Sequence, residues 1–170
     1  MPRATNVLNV KPQTENVRTG IGEDDRKDIA QAISRVLTDT YLLVIKSHVY
    51  HWNVVGPLFH PIHEMTEEHY ENLFQACDEL AERIRALGHP APLTDTRVLA
   101  EGNIIIEATA PTARDMVQDL VSDHEGLCRT MREAAELAEE KGDFVSHDLL
   151  TARLTYHEKV IWMLRAIITE

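Results

Sequence analysis

The placement of proline constrains this chain more than any other feature. Its 7 prolines are Pro2, Pro12, Pro57, Pro61, Pro90, Pro92 and Pro111, and they fence off three long proline-free stretches at 13–56, 62–89 and 112–170. Proline lacks a backbone N–H and clashes with the preceding turn, so long helices fit only between such fences. Glycine is equally sparse at 7 residues, and aromatic residues make up 5%. A sandwich or barrel needs a turn about every dozen residues. The chain is therefore expected to be all-α.

Apolar periodicity places the helices inside the fences. The first is expected to start near Asp24 or Asp25, where acids suit a helix N-terminus. Its apolar residues Ile29, Ile33, Val36, Leu37, Leu43 and Val44 recur with a helical period, and Asn53 and Gly56-Pro57 end it. The second follows Pro61 and runs to Leu87 on a spine of Leu73, Cys77, Leu80, Ile84 and Leu87, with Gly88 as its stop. The third spans Thr112 to Lys141 and stops at Gly142; the fourth spans Phe144 to Ile168. Gly126, inside the third, costs about 1 kcal/mol relative to alanine.

Residues 89–111 are far longer than the roughly 2–8 residues that join neighbouring bundle helices. A short helix is expected there around Asp95–Ala100. The run Ile104-Ile105-Ile106 reads as a strand, but it has no partner strand in the sequence. Four long helices with one long middle connection form a four-helix bundle with a single crossover.

With 170 residues the chain makes one domain. Residues 1–22 are polar and without helical period, so they read as a flexible tail, and 23–170 as the bundle. The formal net charge is −11; the tail holds Arg3, Lys11 and Arg18 against Glu15, a net +2, which leaves −13 on residues 23–170. Phosphate binding needs clustered Lys and Arg, so the body argues against general nucleic-acid binding. No run approaches the roughly 18–20 apolar residues of a membrane span. The N-terminus has no apolar stretch of secretory-signal length. Cys77 and Cys128 are too few for a disulfide scaffold and are expected as buried thiols. A cytoplasmic protein is the expectation.

The second helix carries His63, Glu67, Asp78 and Glu82, in two pairs each four residues apart. With Leu73 of the spine set at zero, they lie at about 80°, 120°, 140° and 180°, one stripe lateral to the core face. Carboxylates and imidazoles are potential metal ligands. Glu67 and Asp78 are separated by about 16 Å along the helix, whereas two metals of one dinuclear centre sit about 3.5–4 Å apart. The two pairs of one chain cannot share such a centre. Either they form separate sites, or two chains pack antiparallel and each site takes one pair from each. Intrasubunit di-iron bundles carry Glu-x-x-His on two helices, and none of the 9 histidines has Glu three residues before it.

The stretch His51-Trp52-Asn53-x-x-Gly56-Pro57-x-Phe59, then His63-Glu64, then Asp78-Glu79-x-Ala81-Glu82-Arg83, resembles the Dps family of miniferritins. Lys159-Val160-Ile161-Trp162-Met163-Leu164 is similar to that family's last helix. The resemblance covers roughly residues 25–168. It implies a ferritin-like bundle assembled into a hollow twelve-subunit shell. It implies ferroxidase activity at sites across two-fold interfaces, with His51, His63 and Glu67 from one subunit and Asp78 and Glu82 from its mate. Glu67 stands where the family often has Asp, and Glu82 is the candidate bridge between two irons. Iron is the implied metal, with no organic cofactor. The resemblance further implies hydrogen peroxide as the preferred oxidant, with dioxygen as the other, and ferric mineral collecting in the cavity.

Trp52, beside His51, is a candidate relay for a stray oxidising equivalent, with interface packing as the other reading. Asp143 and Asp148 stand where family members line negatively charged pores, which would focus cations inward; helix capping is the other reading of Asp143. His48, His60 and His69 lie near these elements. A DNA-compacting protein is the second functional reading. The tail's +2 against a body of −13 implies weak or absent DNA binding.

Overall fold

The structure, a computed structural model, describes residues 13–92, 102–105 and 111–169. Its helices are α1 (Glu23–Asn53), α2 (Phe59–Ala86), α3 (Ala113–Glu140) and α4 (Phe144–Ile168). No strand occurs among the described residues. The short helix expected at 95–100 and Ile106 lie outside them. Ile104 is buried in the core and Ile105 is exposed.

Local chemistry accounts for the helix ends. Glu23, Asp24 and Asp25 fill the first turn of α1, where the helix dipole favours negative charge. α2 starts at Phe59, earlier than expected, so Pro61 sits inside its first turn. The N–H groups of that turn have no intrahelical acceptor, so a missing one costs little. Thr112 and Asp115 form a reciprocal capping box at α3. Asp143 caps α4 by accepting from the Ser146 N–H at 3.1 Å.

The described part of the segment before α1, residues 13–22, makes specific contacts with the bundle. The Glu15 N–H donates to the Gly88 carbonyl at 2.7 Å, and Arg85 pairs with the Glu15 carboxylate at 2.6 Å. Arg26 is buried and donates to the carbonyls of Val17, Ile21 and Leu87 at 2.6, 2.9 and 3.2 Å. Gly88 has φ +90°, and a Cβ there would lie 2.5 Å from the Glu15 carbonyl oxygen. Only glycine fits this junction. Most of the segment is exposed, yet it is tied down at Glu15 against the end of α2 and at Val17 and Ile21 against Arg26.

The helices pair as hairpins α1–α2 and α3–α4 around Leu37, Leu43, Leu73, Leu80, Leu120 and Leu127. Polar clamps tie the hairpins together. Lys46, only 1% exposed, reaches Asp119 at 2.9 Å and Asp123 at 2.5 Å on α3. The Tyr50 hydroxyl donates to the same Asp119. Asp39 accepts from the backbone and side-chain amides of Asn103 at 2.7 and 2.9 Å, docking the crossover on α1. Cys77 and Cys128 are free and buried, as expected. Burial pushes the Cys77 thiol up to about 12, which makes it a poor nucleophile.

A layer of buried histidines crosses the bundle. His124 of α3 and His157 of α4 face each other with their Nδ1 atoms 2.7 Å apart. His69 of α2 meets His124 edge-on at 5.7 Å. Burial, then Arg153 and His69, push His157 down to about 3; burial pushes His69 down to about 4. All are thus neutral at pH 7, and in the His124–His157 contact one ring nitrogen donates to the lone pair of the other. Arg153 lies over the Tyr156 ring and donates to the Asn72 Oδ1 at 2.8 Å.

Candidate metal centre

The short turn between α1 and α2 brings His51, in the last turn of α1, against His63, in the second turn of α2. Their rings stack with centroids 3.8 Å apart. The His51 Nδ1 bonds the His63 carbonyl at 2.9 Å, and the His63 Nδ1 bonds the His51 carbonyl at 2.9 Å. A carbonyl only accepts, so each Nδ1 carries the proton. In the neutral imidazoles this leaves both Nε2 lone pairs available to a metal. An N–H fixed by a carbonyl is how metal-binding histidines are usually oriented.

Glu67, one turn after His63, is exposed, and the Tyr70 hydroxyl donates to its Oε1 at 3.5 Å. Partial burial, then the carboxylates of Glu67 and Glu71, raise the Tyr70 pKa, so the phenol is protonated. Asp78 and Glu82 are exposed further along α2 and have no hydrogen-bond or ion-pair partner among the described residues. No group of three or more His, Cys, Asp or Glu side chains among the described residues is placed to hold a metal within one chain. His51 and His63 are thus brought together, while Asp78 and Glu82 stand apart from them.

Exposed aromatic residues accompany the stripe. Phe74 is 60% exposed and sits between Glu67 and Asp78; Trp52 is 67% exposed and Phe59 is exposed beside His63. An apolar groove lined by Leu37, Tyr41, Phe74 and Ala81 adjoins Asp78. A stripe that mixes unpaired carboxylates with exposed rings is unlike a solvated helix face. The sequence reading missed Phe74, although the same helical projection puts it at about 100°, inside the stripe. It also missed Tyr70, which the three-residue spacing from Glu67 would have found.

The two pore candidates separate. Asp143 is 1% exposed and is held by Arg83 at 2.7 and 2.8 Å and by the Ser146 hydroxyl at 2.6 Å. Burial alone would raise its pKa, but Arg83 and Ser146 outweigh that and lower it. Within one chain Asp143 is a capping, ion-paired carboxylate turned inward, the other of the two readings given for it. Asp148 is exposed.

Residues 30–170 match the ferritin-like domain family. A low temperature-induced protein of Nostoc sp. is 36% identical over 155 residues, covering 89% of this chain and 86% of the relative. DNA protection during starvation protein 2 of Bacillus anthracis is 33% identical over 144 residues, covering 85% of this chain and 99% of the relative. The crystal structure of a Dps protein from Vibrio cholerae O1, described as one of the ferritin-like diiron-carboxylate proteins, superposes with a TM-score of 0.85 at 28% identity. The match covers 95% of this chain and 99% of that one. Fold and helix order thus define a ferritin-like four-helix bundle protein. Within that class, the chain belongs to the Dps family of miniferritins.

Proposed function

We propose that this protein is a ferroxidase and iron-storage miniferritin. It assembles into a homo-oligomer, a twelve-subunit shell, whose dinuclear sites lie across two-fold interfaces. His51, His63 and Glu67 of one subunit face Asp78 and Glu82 of its mate. The carrying observation is the reciprocal carbonyl lock of His51 and His63, which presents two Nε2 lone pairs with too few other ligands among the described residues of the same chain. A two-fold axis through the stripe near Phe74 would supply the missing carboxylates, since residue i then meets j and j meets i. Carboxylate oxygen favours the harder Fe(III), so oxidation is downhill on the full ligand set.

Iron is the substrate here. Two Fe(II) supply two electrons, which with two protons reduce one hydrogen peroxide to two waters, and no hydroxyl radical forms. Ferric product passes to the shell interior as mineral. Asp148, with the other exposed acids of the body, supplies the negative field that draws Fe(II) in. No helix among the described residues is long and apolar enough to cross a membrane, and we place the shell in the bacterial cytoplasm.

Anaerobic Fe(II) loading followed by peroxide titration tests the reading. About one peroxide per two irons is expected for the wild type, and loss of protein-dependent oxidation in the Asp78→Ala/Glu82→Ala variant. Equal rates in the variant would sink the assignment. The DNA-compacting reading draws on the starvation-protection name of the Bacillus anthracis relative. Charge opposes it: −13 on residues 23–170 against +2 before them. At neutral pH and moderate salt the intact protein is expected to leave duplex DNA unshifted in a gel.

A further inference from the structure

The acidic stripe of α2 poses a problem that the proposed ligand set does not solve. Residues 63–82 hold seven acids and no Lys or Arg. Two such helices laid side by side repel, and neither brings the other a fixed cation. Glu67 of one chain and Asp78 and Glu82 of its mate then face one another with nothing between them until metal binds. The same stretch exposes one large apolar side chain, Phe74, at 60%. Tyr41 of α1 stands edge-on behind it, with ring centroids 6.5 Å apart. The place of Phe74 in the stripe follows a rule. Glu67 and Asp78 lie equally far from the point midway between Asn72 and Leu73, and so do His63 and Glu82. One antiparallel register therefore serves both pairs at once, with its two-fold axis at that level. Phe74 sits one and a half residues beyond it, so its Cα and that of its mate are staggered by about 4.5 Å along the helices. Helical side chains lean toward the N-terminus, and here that lean carries each ring toward the axis. Aromatic pairs settle at centroid separations of about 4.5–7 Å.

We propose that Phe74 is the apolar anchor by which two copies of this chain pair, its ring meeting that of its mate on the two-fold axis with a Tyr41 behind each. The inference rests on the ferroxidase reading above and names the contact that holds its sites together before iron arrives. Burial of the two rings offsets the repulsion of the carboxylates and leaves a concentration of negative charge on either side of the axis. The same contact fixes the offset at which Glu67 meets Asp78 and His63 meets Glu82. Phe74 is thus a positioning residue: it touches no metal, and it acts by setting where the mate's carboxylates stand. Pairing then has two sources of free energy, the ring contact and the bound metal. Each stands in partly for the other, so loss of the ring makes assembly depend on metal.

Cross-linking and sedimentation of the full-length protein test this, first with all metal removed by a chelator. Phe74→Cys is expected to join two chains through a short bismaleimide, whereas Glu68→Cys, exposed on another side of α2, is not. The native Cys77 and Cys128 are buried and take no part. Absence of the Phe74→Cys cross-link overturns pairing on this axis. In metal-free sedimentation, Phe74→Ala should come apart at protein concentrations about 30-fold above those at which wild type does, the effect of losing an interface hot spot. Zn2+, which is redox-inert, should restore its assembly, and Phe74→Leu, which keeps an apolar anchor, should not need it. Phe74→Ala/Asp78→Ala/Glu82→Ala should regain assembly without metal, since the repelling carboxylates are gone, and should no longer respond to Zn2+. A side chain that merely packed would show neither dependence. Assembly of metal-free Phe74→Ala at wild-type concentrations overturns the anchor. A missing cross-link beside normal iron oxidation in wild type removes the anchor alone. A cross-link that forms in a protein without iron oxidation removes the ferroxidase reading and leaves the pairing.

Discussion

At the scale of single residues, histidine does two opposite jobs in this chain. His51, buried, and His63, half-buried, are fixed by each other's carbonyls through Nδ1, which leaves Nε2 as the free ring nitrogen. His124 and His157 are fixed by each other in the buried interior. The sequence distinguishes the two only in part. The spacing of His63 and Glu67 marks a shared helix face, but the partners that set the His51 and His63 tautomers are backbone carbonyls, which no motif encodes. The interior pair has a measurable cost in acid. His157 titrates at about 3 in the folded chain against 6.5 as the unperturbed value, so the native state binds fewer protons than the unfolded one. Its contribution is intact above about pH 6.5 and is lost progressively as the pH falls toward 3. The His124→Leu/His157→Leu variant is expected to lose less stability than wild type between pH 7 and about pH 4.5, read as urea midpoints. Equal losses would remove the pair as a source of acid sensitivity.

At the scale of elements, the four helices were legible because proline and glycine punctuate them. Ends came within a few residues, and the α2 start slipped only because a first-turn proline was read as a boundary. Gly126 is a different kind of glycine. A Cβ there would meet only the Arg129 guanidinium, at 3.6 Å, so its absence of a side chain serves no close approach within the chain. Gly126→Ala is expected to stabilise the protein by about 0.5–1 kcal/mol in thermal or denaturant unfolding. The strap at 13–22 was illegible, since its stability lies in backbone bonds to Gly88 and in the Arg26 contacts. Removal of residues 1–12 should leave the melting temperature near wild type. Removal of 1–22 should lower it, because Arg26 and the Gly88 carbonyl lose their partners. Equal melting of both truncations would show the strap to be idle. Any assay of the tail therefore belongs on the shorter deletion.

At the scale of the whole molecule, the proposed sites belong to pairs of chains, and complementation reads this directly. His63→Ala and Asp78→Ala are each expected to abolish iron oxidation. Co-expressed in one assembly, they should restore roughly a quarter of wild-type activity, because a mixed pair holds one intact site and one doubly damaged site. No recovery would place all ligands within one chain. The candidate site is half legible from sequence for the same reason: spacing on one helix shows which ligands cannot meet, and the mate proposed to complete them is a second copy of the same text. The buried histidines bear on how such copies come to be alike. Leucine packs on leucine at more than one offset, and sliding a hairpin by a turn moves it about 5.4 Å. The His69–His124 contact and the Arg153–Asn72 bond between the hairpins survive at only one offset, much as a single buried polar residue fixes register in a coiled coil. The layer works as a vernier mark: it sets every copy to the same register, and identical copies are what the proposed closed shell requires.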